Sequence, residues 1–543
     1  MTCLAGPLFF RPVPRALSRP LSILVLAAWV VQMGVLAQRT LSASPVSLAA
    51  DLSRYGRTAH WKGIYYRGEK IGFSVSETLP TSDGYEIQED GQLQLTLMGM
   101  GTPARVKTSV KVDKAFNLRA FSFMLDPGTG AVAVEGTLAG TRLQLDVSTK
   151  AGKRSDTRTL QEPPNLALNL SRKLAGEGLA PGKHFALSMF DPATLRNAPM
   201  TIDVLGREVL RISNRPLPTL KLRTQFSGIT SHSWVTETGE VVREESPMGL
   251  IVVREARETA IALAVSSQIR SDMYEAAAIV PKPDRRIDDP ASVEFLKLRL
   301  EGVDLEPLEL RGAGQSVRGD VVELRDPESL PAAAPDVDLE KLLEPEALIE
   351  SDAPEIVAEA KAALAGVTGQ RARAERLVRH VNGLLEKRPT VSLPSALEVL
   401  RTRVGDCNEH TALFVALARA AGIPARIAVG LVYLRGAFYY HAWAEVWVEA
   451  ERGRGRFIPV DPTLNQFPAD LTHVRLARGG LDKQAVILGV MGRVRIGILD
   501  LQMLPGTAPI LVGRTSGETK RLAFELPLRD GSSSRTCWSK PRR

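Results

Sequence analysis

The chain has 543 residues, 44% of them hydrophobic and 24% charged, enough for about two to four domains with ordinary cores. Its 69 basic and 61 acidic residues leave a net charge of +8, spread without a dense basic stripe or interleaved aromatics. That distribution gives no support to nucleic-acid binding, and three cysteines in this length exclude a disulfide framework.

The N-terminus carries Arg11, Arg15 and Arg19 ahead of an apolar run over 21–37, interrupted by Ser22, Gln32 and Gly34. A basic flank followed by such a run is the pattern of an export signal. Residues 1–45 are therefore expected to be a signal peptide, cut after Val35-Leu36-Ala37, or a membrane anchor, since a run of this length lies near the lower limit for a span. The expected location is periplasmic or in the cell envelope, with membrane association through 21–37.

From 55 to 280 the sequence alternates with a period of two and offers frequent turn signals, which predicts an antiparallel β-rich domain. Predicted strands include 64–66 before the turn Arg67-Gly68, then 93–97, 106–112, 118–125, 131–134 and 143–147. The run 221–226 and a hairpin through Thr238-Gly239 continue the pattern. Glu162-Pro163-Pro164 and a helix over 166–174, with Asn165 as its N-cap, divide the domain into two possible subdomains. Residues 281–345 mix proline, charge and short apolar runs and read as a linker with short strands.

A third region, 346–480, opens with three amphipathic helices over 354–364, 370–385 and 395–401. It then carries Gly405-Asp406-Cys407-Asn408-Glu409-His410, in which Asp406 is a favourable N-cap and Glu409 completes a capping box. Cys407 thus begins a helix that runs to about Ala421, with Leu413, Phe414, Leu417 and Ala420 on one buried face and Gly422 as its stop. The N–H groups of its first turn and an imidazolium are expected to lower the thiol pKa and to face an oxyanion. Strands over 425–433 and 438–448 follow, the second placing His441, Trp443, Glu445 and Trp447 on one face. A third strand, 457–460, ends at Asp461. Cysteine, histidine and aspartate in that order supply a nucleophile, a general base and an orienting carboxylate. His410 and Asn408, one turn or less from Cys407, and Trp443 are candidate lining residues of a substrate cleft. Glu445 reads as a solvated strand residue, and His60, His184, His232, His380 and His473 as structural or surface residues. No Cys-x-x-Cys pair or clustered ligand set points to a metal, and no cofactor is expected.

The run Gly405-Asp406-Cys407, the segment 413–426, His441-Ala442-Trp443 and Asp461-Pro462-Thr463 together resemble the bacterial transglutaminase-like superfamily, whose members share a papain-like core. The resemblance covers roughly 351–480, and Phe457 stands where many members carry a tryptophan. It implies an α+β architecture, with the β-rich domain preceding a transglutaminase-like catalytic domain. It also implies catalytic roles for Cys407, His441 and Asp461. The expected activity is attack on an amide or peptide bond through a thioester, with water as the acceptor and a protein or peptide as substrate. Crosslinking to a lysine amine, or a non-catalytic binding module on the same fold, are the alternatives. Strands over 481–528 and a disordered tail over 529–543 containing Cys537 complete the chain.

Overall fold

The computed structural model describes residues 55–504 except 57, 98–99, 129, 213, 247–248, 263–271, 283–284, 307, 391–392, 480–489 and 491. The apolar run 21–37, the segment 486–488, the 529–543 tail, Cys3 and Cys537 lie outside the described residues. Among those described, no helix is long and apolar enough to cross a membrane.

The N-terminal region is one fourteen-stranded antiparallel sheet. Alternation is the reason for it: in Arg142–Thr149, Leu143, Leu145 and Val147 are buried while Gln144 points outward. Tight turns close the hairpins, as at Arg67 and Gly68, which both take positive φ, 49° and 85°. Eight strands from His60–Tyr66 to Gly152–Thr159 run as a meander to one edge. The helix Ala167–Gly176 then carries the chain to the opposite edge, His184–Asp191, and six strands return until Leu250–Arg254 pairs with His60–Tyr66. The two expected subdomains are therefore halves of a single sheet. It bends enough that Arg158, on one edge strand, donates to the Leu195 carbonyl just beyond the other at 2.5 Å. The helix is capped by Asn169, whose side chain accepts from Leu166 N–H at 2.9 Å, whereas Asn165 donates to the Ser188 carbonyl.

Residues 281–345 are more than a linker. Val293–Glu301, Gln315–Arg318 and Val321–Arg325 form a four-stranded sheet with Arg495–Met503 from far along the chain. Leu296, Leu298 and Leu300 alternate inward from the first of these strands, and Val293 and Phe295 are buried as well.

The catalytic region sets four helices against another four-stranded sheet. The helices are Pro354–Ala363, Gln370–Leu384, Ala396–Thr402 and the cysteine helix Cys407–Ala420. The sheet runs in the order Arg454–Val460, Ala437–Glu451, Ala425–Leu434, Val474–Arg478, and the last strand was not anticipated from the sequence. Every residue from Glu409 to Arg419 is buried, so the cysteine helix lies inside the domain rather than on one face of it. Its Ala-rich sequence permits close packing on all sides. The β-rich region docks on this unit through Arg154 to Asp352, bonded at 2.9 and 3.0 Å, and Arg401 to the Lys150 carbonyl.

Candidate active site

Three local structures meet at the site. The first is the start of the cysteine helix. The Asp406 side chain accepts from Asn408 N–H at 2.9 Å and from the Glu409 N–H, and Glu409 Oε2 accepts from Asp406 N–H at 2.8 Å. A side chain at Gly405 would put its Cβ 2.2 Å from Glu409 Cβ, so glycine here lets the capping box close. His410 N–H returns to the Asp406 carbonyl. The capping box therefore occupies donors that the sequence reading assigned to an oxyanion, and the Cys407 N–H is the first-turn donor these caps leave aside.

The second is the strand Ala437–Glu451. His441 is 8% exposed and its Nε2 lies 2.7 Å from Asp461 Oδ2. The N–H of Ala442, the next residue, donates to the Cys407 sulfur, which sets the histidine strand directly against the thiol. With Nε2 engaged by the carboxylate, Nδ1 is the nitrogen left to exchange a proton.

The third is the turn after Arg454–Val460. Asp461 is fully buried, and its Oδ1 accepts from Thr463 and Leu464 N–H at 2.7 and 2.9 Å. Burial alone would raise its pKa, but the two imidazoles on Oδ2, His441 and His473, hold it far below the usual carboxylate range.

His473 is the residue sequence reasoning missed. Its Nε2 lies 3.1 Å from Asp461 Oδ2, and its Nδ1 lies 3.0 Å from the Asp470 carbonyl and 3.3 Å from Asp470 Oδ1. Burial would lower its pKa, yet Asp470 and Asp461 raise it to about 10, and Asp470 falls to about 2 in return. The only local signal was Asp470-Leu471-Thr472-His473, a turn in which Asp470 accepts from Thr472.

The thiol departs from expectation. Burial raises the Cys407 pKa, the charge of Asp406 raises it further, and Glu409 and Asp461 add to this against the lowering effect of the Ala442 N–H. Desolvation outweighs the helix terminus here. Asp406 is itself pushed well up, by burial and then by Glu409.

Of the three cleft candidates, Asn408 lines a cavity of about 760 Å³, together with Thr411 and Ala442 from the catalytic region and Arg154 and Arg158 from the large sheet; Cys407, His441 and Asp461 are not among its lining residues. The other two are corrected. His410 is fully buried with Nδ1 2.7 Å from the Asp406 carbonyl, and burial lowers its pKa. Trp443 is 1% exposed and packs between the His441 ring at 6.3 Å and the His473 ring at 5.2 Å. Both line the interior because the cysteine helix and the histidine strand are buried against each other. Glu445 is likewise not solvated: it is 0% exposed and paired with Arg426, Arg475 and Arg478.

His441, Asp461 and His473 also have the spacing of a metal cluster, with ligand atoms within 4.8 Å of one another. Their close contacts at 2.7 and 3.1 Å are those of imidazole N–H groups bonded to a carboxylate, so hydrogen bonding accounts for the cluster.

No curated protein matches the chain. Among solved structures, a candidate cysteine protease from Cytophaga hutchinsonii is similar at 17% identity and TM-score 0.26, covering 39% of this chain and 89% of that one. A DUF1089 family protein from Pseudomonas aeruginosa is similar at 17% identity and TM-score 0.21, covering 32% and 89%. A candidate protease from Parabacteroides distasonis is similar at 13% identity and TM-score 0.20, covering 67% of each chain. Similarity at this level assigns no activity to this chain. Residues 358–462, which include Cys407, His441 and Asp461, match the profile described as the transglutaminase-like superfamily, and the chain therefore carries a transglutaminase-like domain.

Proposed function

We propose that this chain is a cysteine enzyme that attacks amide or peptide carbonyls through a thioester on Cys407, with water as the acyl acceptor. One observation carries the reading: a buried 2.7 Å bond joins His441 to Asp461 while the backbone beside His441 donates to the Cys407 sulfur. Because the thiol is held up at rest, deprotonation accompanies attack. His441 Nδ1 takes the S–H proton as sulfur bonds to the carbonyl carbon, and the imidazolium is stabilised by Asp461. The C–N bond then breaks, His441 returns the proton to the leaving amine, and a thioester remains. Water, deprotonated by His441, attacks the thioester and releases a carboxylic acid, and the thiolate recovers its proton. A lysine amine in place of water would give an isopeptide bond with the same residues. The match to the superfamily profile and the cavity beside Asn408 support an acyl substrate delivered to this point.

The basic flank and the apolar run over 21–37 support export, with the enzyme soluble in the periplasm or anchored by that segment. The raised thiol favours a second reading, a binding module whose nucleophile is idle. The two separate on incubation with a defined mixture of synthetic peptides containing glutamine, asparagine and lysine, read by mass spectrometry. Shortened or deamidated products that disappear in Cys407→Ala support hydrolysis. New isopeptide masses would assign crosslinking instead, and no product from either protein would leave the module.

A further inference from the structure

We infer that His473 is a positioning residue of this site, a second imidazole that shares Asp461 with His441 and fixes both the aim and the proton affinity of the Cys407–His441 couple. The inference rests on the catalytic reading above and adds a residue to it.

Hydrogen-bond accounting gives His473 its charge state. Its Nε2 faces Asp461 Oδ2 at 3.1 Å, and its Nδ1 faces the carbonyl oxygen and Oδ1 of Asp470 at 3.0 and 3.3 Å. All of these partners accept, so both ring nitrogens must carry hydrogen, and the ring is an imidazolium. A neutral ring would turn a lone pair toward an acceptor in a fully buried place, since the His473 side chain is 1% exposed. Asp470 is built as its permanent counter-ion: besides His473, it accepts from Thr472 N–H, Thr472 Oγ1 and Gln466 Nε2.

The shared oxygen gives the role. Asp461 Oδ2 is 2.7 Å from His441 and 3.1 Å from His473, and Oδ1 is held by two backbone N–H groups, so the carboxylate has four donors and cannot rotate. One anion thus serves two imidazoles, and His473 takes part of the field that would otherwise act on His441 alone. The charged and titratable groups facing this centre are Asp461 and Asp470 from two separate turns, His441 from the histidine strand, Cys407, Glu409 and His410 from the cysteine helix with Asp406 at its N-cap, and Lys387 from the strand beside that helix's start. Removing the His473 cation makes every proton in the centre harder to lose. With ring centroids 5.9 Å apart, one charge shifts a titration by about half a pH unit even at the dielectric of water, and by more when buried.

The test uses the full chain and iodoacetamide, which reports the Cys407–His441 couple without a known substrate. In His473→Gln the side-chain amide still donates to Asp461 but carries no charge. The rising limb of the inactivation-rate profile is expected to move to higher pH by at least about half a unit, with circular dichroism unchanged. A folded variant whose limb does not move would overturn the inference and reduce His473 to packing. His441→Ala is the companion control: if it leaves the native profile unchanged, the Cys407–His441 couple itself fails, and the catalytic reading falls with the inference. Should His473→Gln not fold, ring-nitrogen NMR of the native protein decides. Both His473 nitrogens protonated at pH 8 support the assignment, and a single protonated nitrogen contradicts it.

Discussion

Replacing Glu445 with glutamine removes the one anion from a buried cluster of three arginines. Glu445 Oε2 is 2.8 Å from Arg426 and 3.2 Å from Arg478, and Oε1 binds Arg475, which also donates to the carbonyls of Glu309, Arg311 and Gly312. Burial would raise the Glu445 pKa, yet the arginines bring it from 4.5 to about 2. At ~1.4 kcal/mol per pH unit that difference corresponds to about 3 kcal/mol of stability at neutral pH, within the range of ~3–5 kcal/mol for breaking a buried ion pair. If residues 55–504 unfold together the melting temperature should fall by ~3 °C, and by ~10 °C if the catalytic region unfolds alone. Differential scanning calorimetry distinguishes these cases. The pH dependence has a fixed sign: a carboxylate with a depressed folded pKa contributes fully above its unfolded value and loses that contribution as pH falls. The gap between wild type and Glu445→Gln should therefore be full at pH 7 and shrink between pH 4.5 and about 2. A gap below ~1 kcal/mol at pH 7, where a buried pair is worth several, or one that stays constant down to pH 3, would refute the argument. Glu445 lies on the histidine strand, so the same variant should also loosen His441.

Asp461→Asn should lower the turnover of any peptide substrate by roughly 10³–10⁴-fold, because an amide has a single accepting oxygen: with the Thr463 and Leu464 N–H groups holding that oxygen, the NH₂ group faces His441 and His473 and His441 loses its tautomer; a loss under tenfold, measured by product mass spectrometry, would contradict the role. Alkylation of Cys407 by iodoacetamide should be slow at pH 7 and climb with pH beyond pH 9, since burial and the nearby carboxyls hold the thiol protonated; a rate already on a plateau at pH 6 would show a resting thiolate. When the full chain is expressed in a bacterium, it should be recovered from the envelope with 21–37 either removed or embedded in membrane; intact chain confined to the cytosol would contradict export.

Much of the site was legible because its signals are local. Gly405, Asp406 and Glu409 sit within one helical turn of Cys407, and the alternation that places His441 and Trp443 on one face is a property of consecutive residues. What escaped was set by partners far along the chain. Nothing near His60–Tyr66 announces that it pairs with Leu250–Arg254, nor near Val293–Glu301 that Arg495–Met503 completes its sheet. Glu445 looked solvated because Arg475 and Arg478 reach it from a strand the sequence did not reveal. His473 stayed hidden for the same reason, since its meaning depends on Asp461 being folded against it. The thiol was misjudged because helix capping can be read from sequence, whereas the desolvation that overrides it cannot.

The most direct measurement is a rapid acid quench of the full chain mixed with the synthetic peptide set, followed by mapping of the peptide that contains Cys407. An acyl mass on Cys407, sensitive to hydroxylamine and lost in His441→Ala, is the predicted result. Product formation without any acyl mass on Cys407, or turnover that persists in Cys407→Ala, would contradict the thioester on which this account rests.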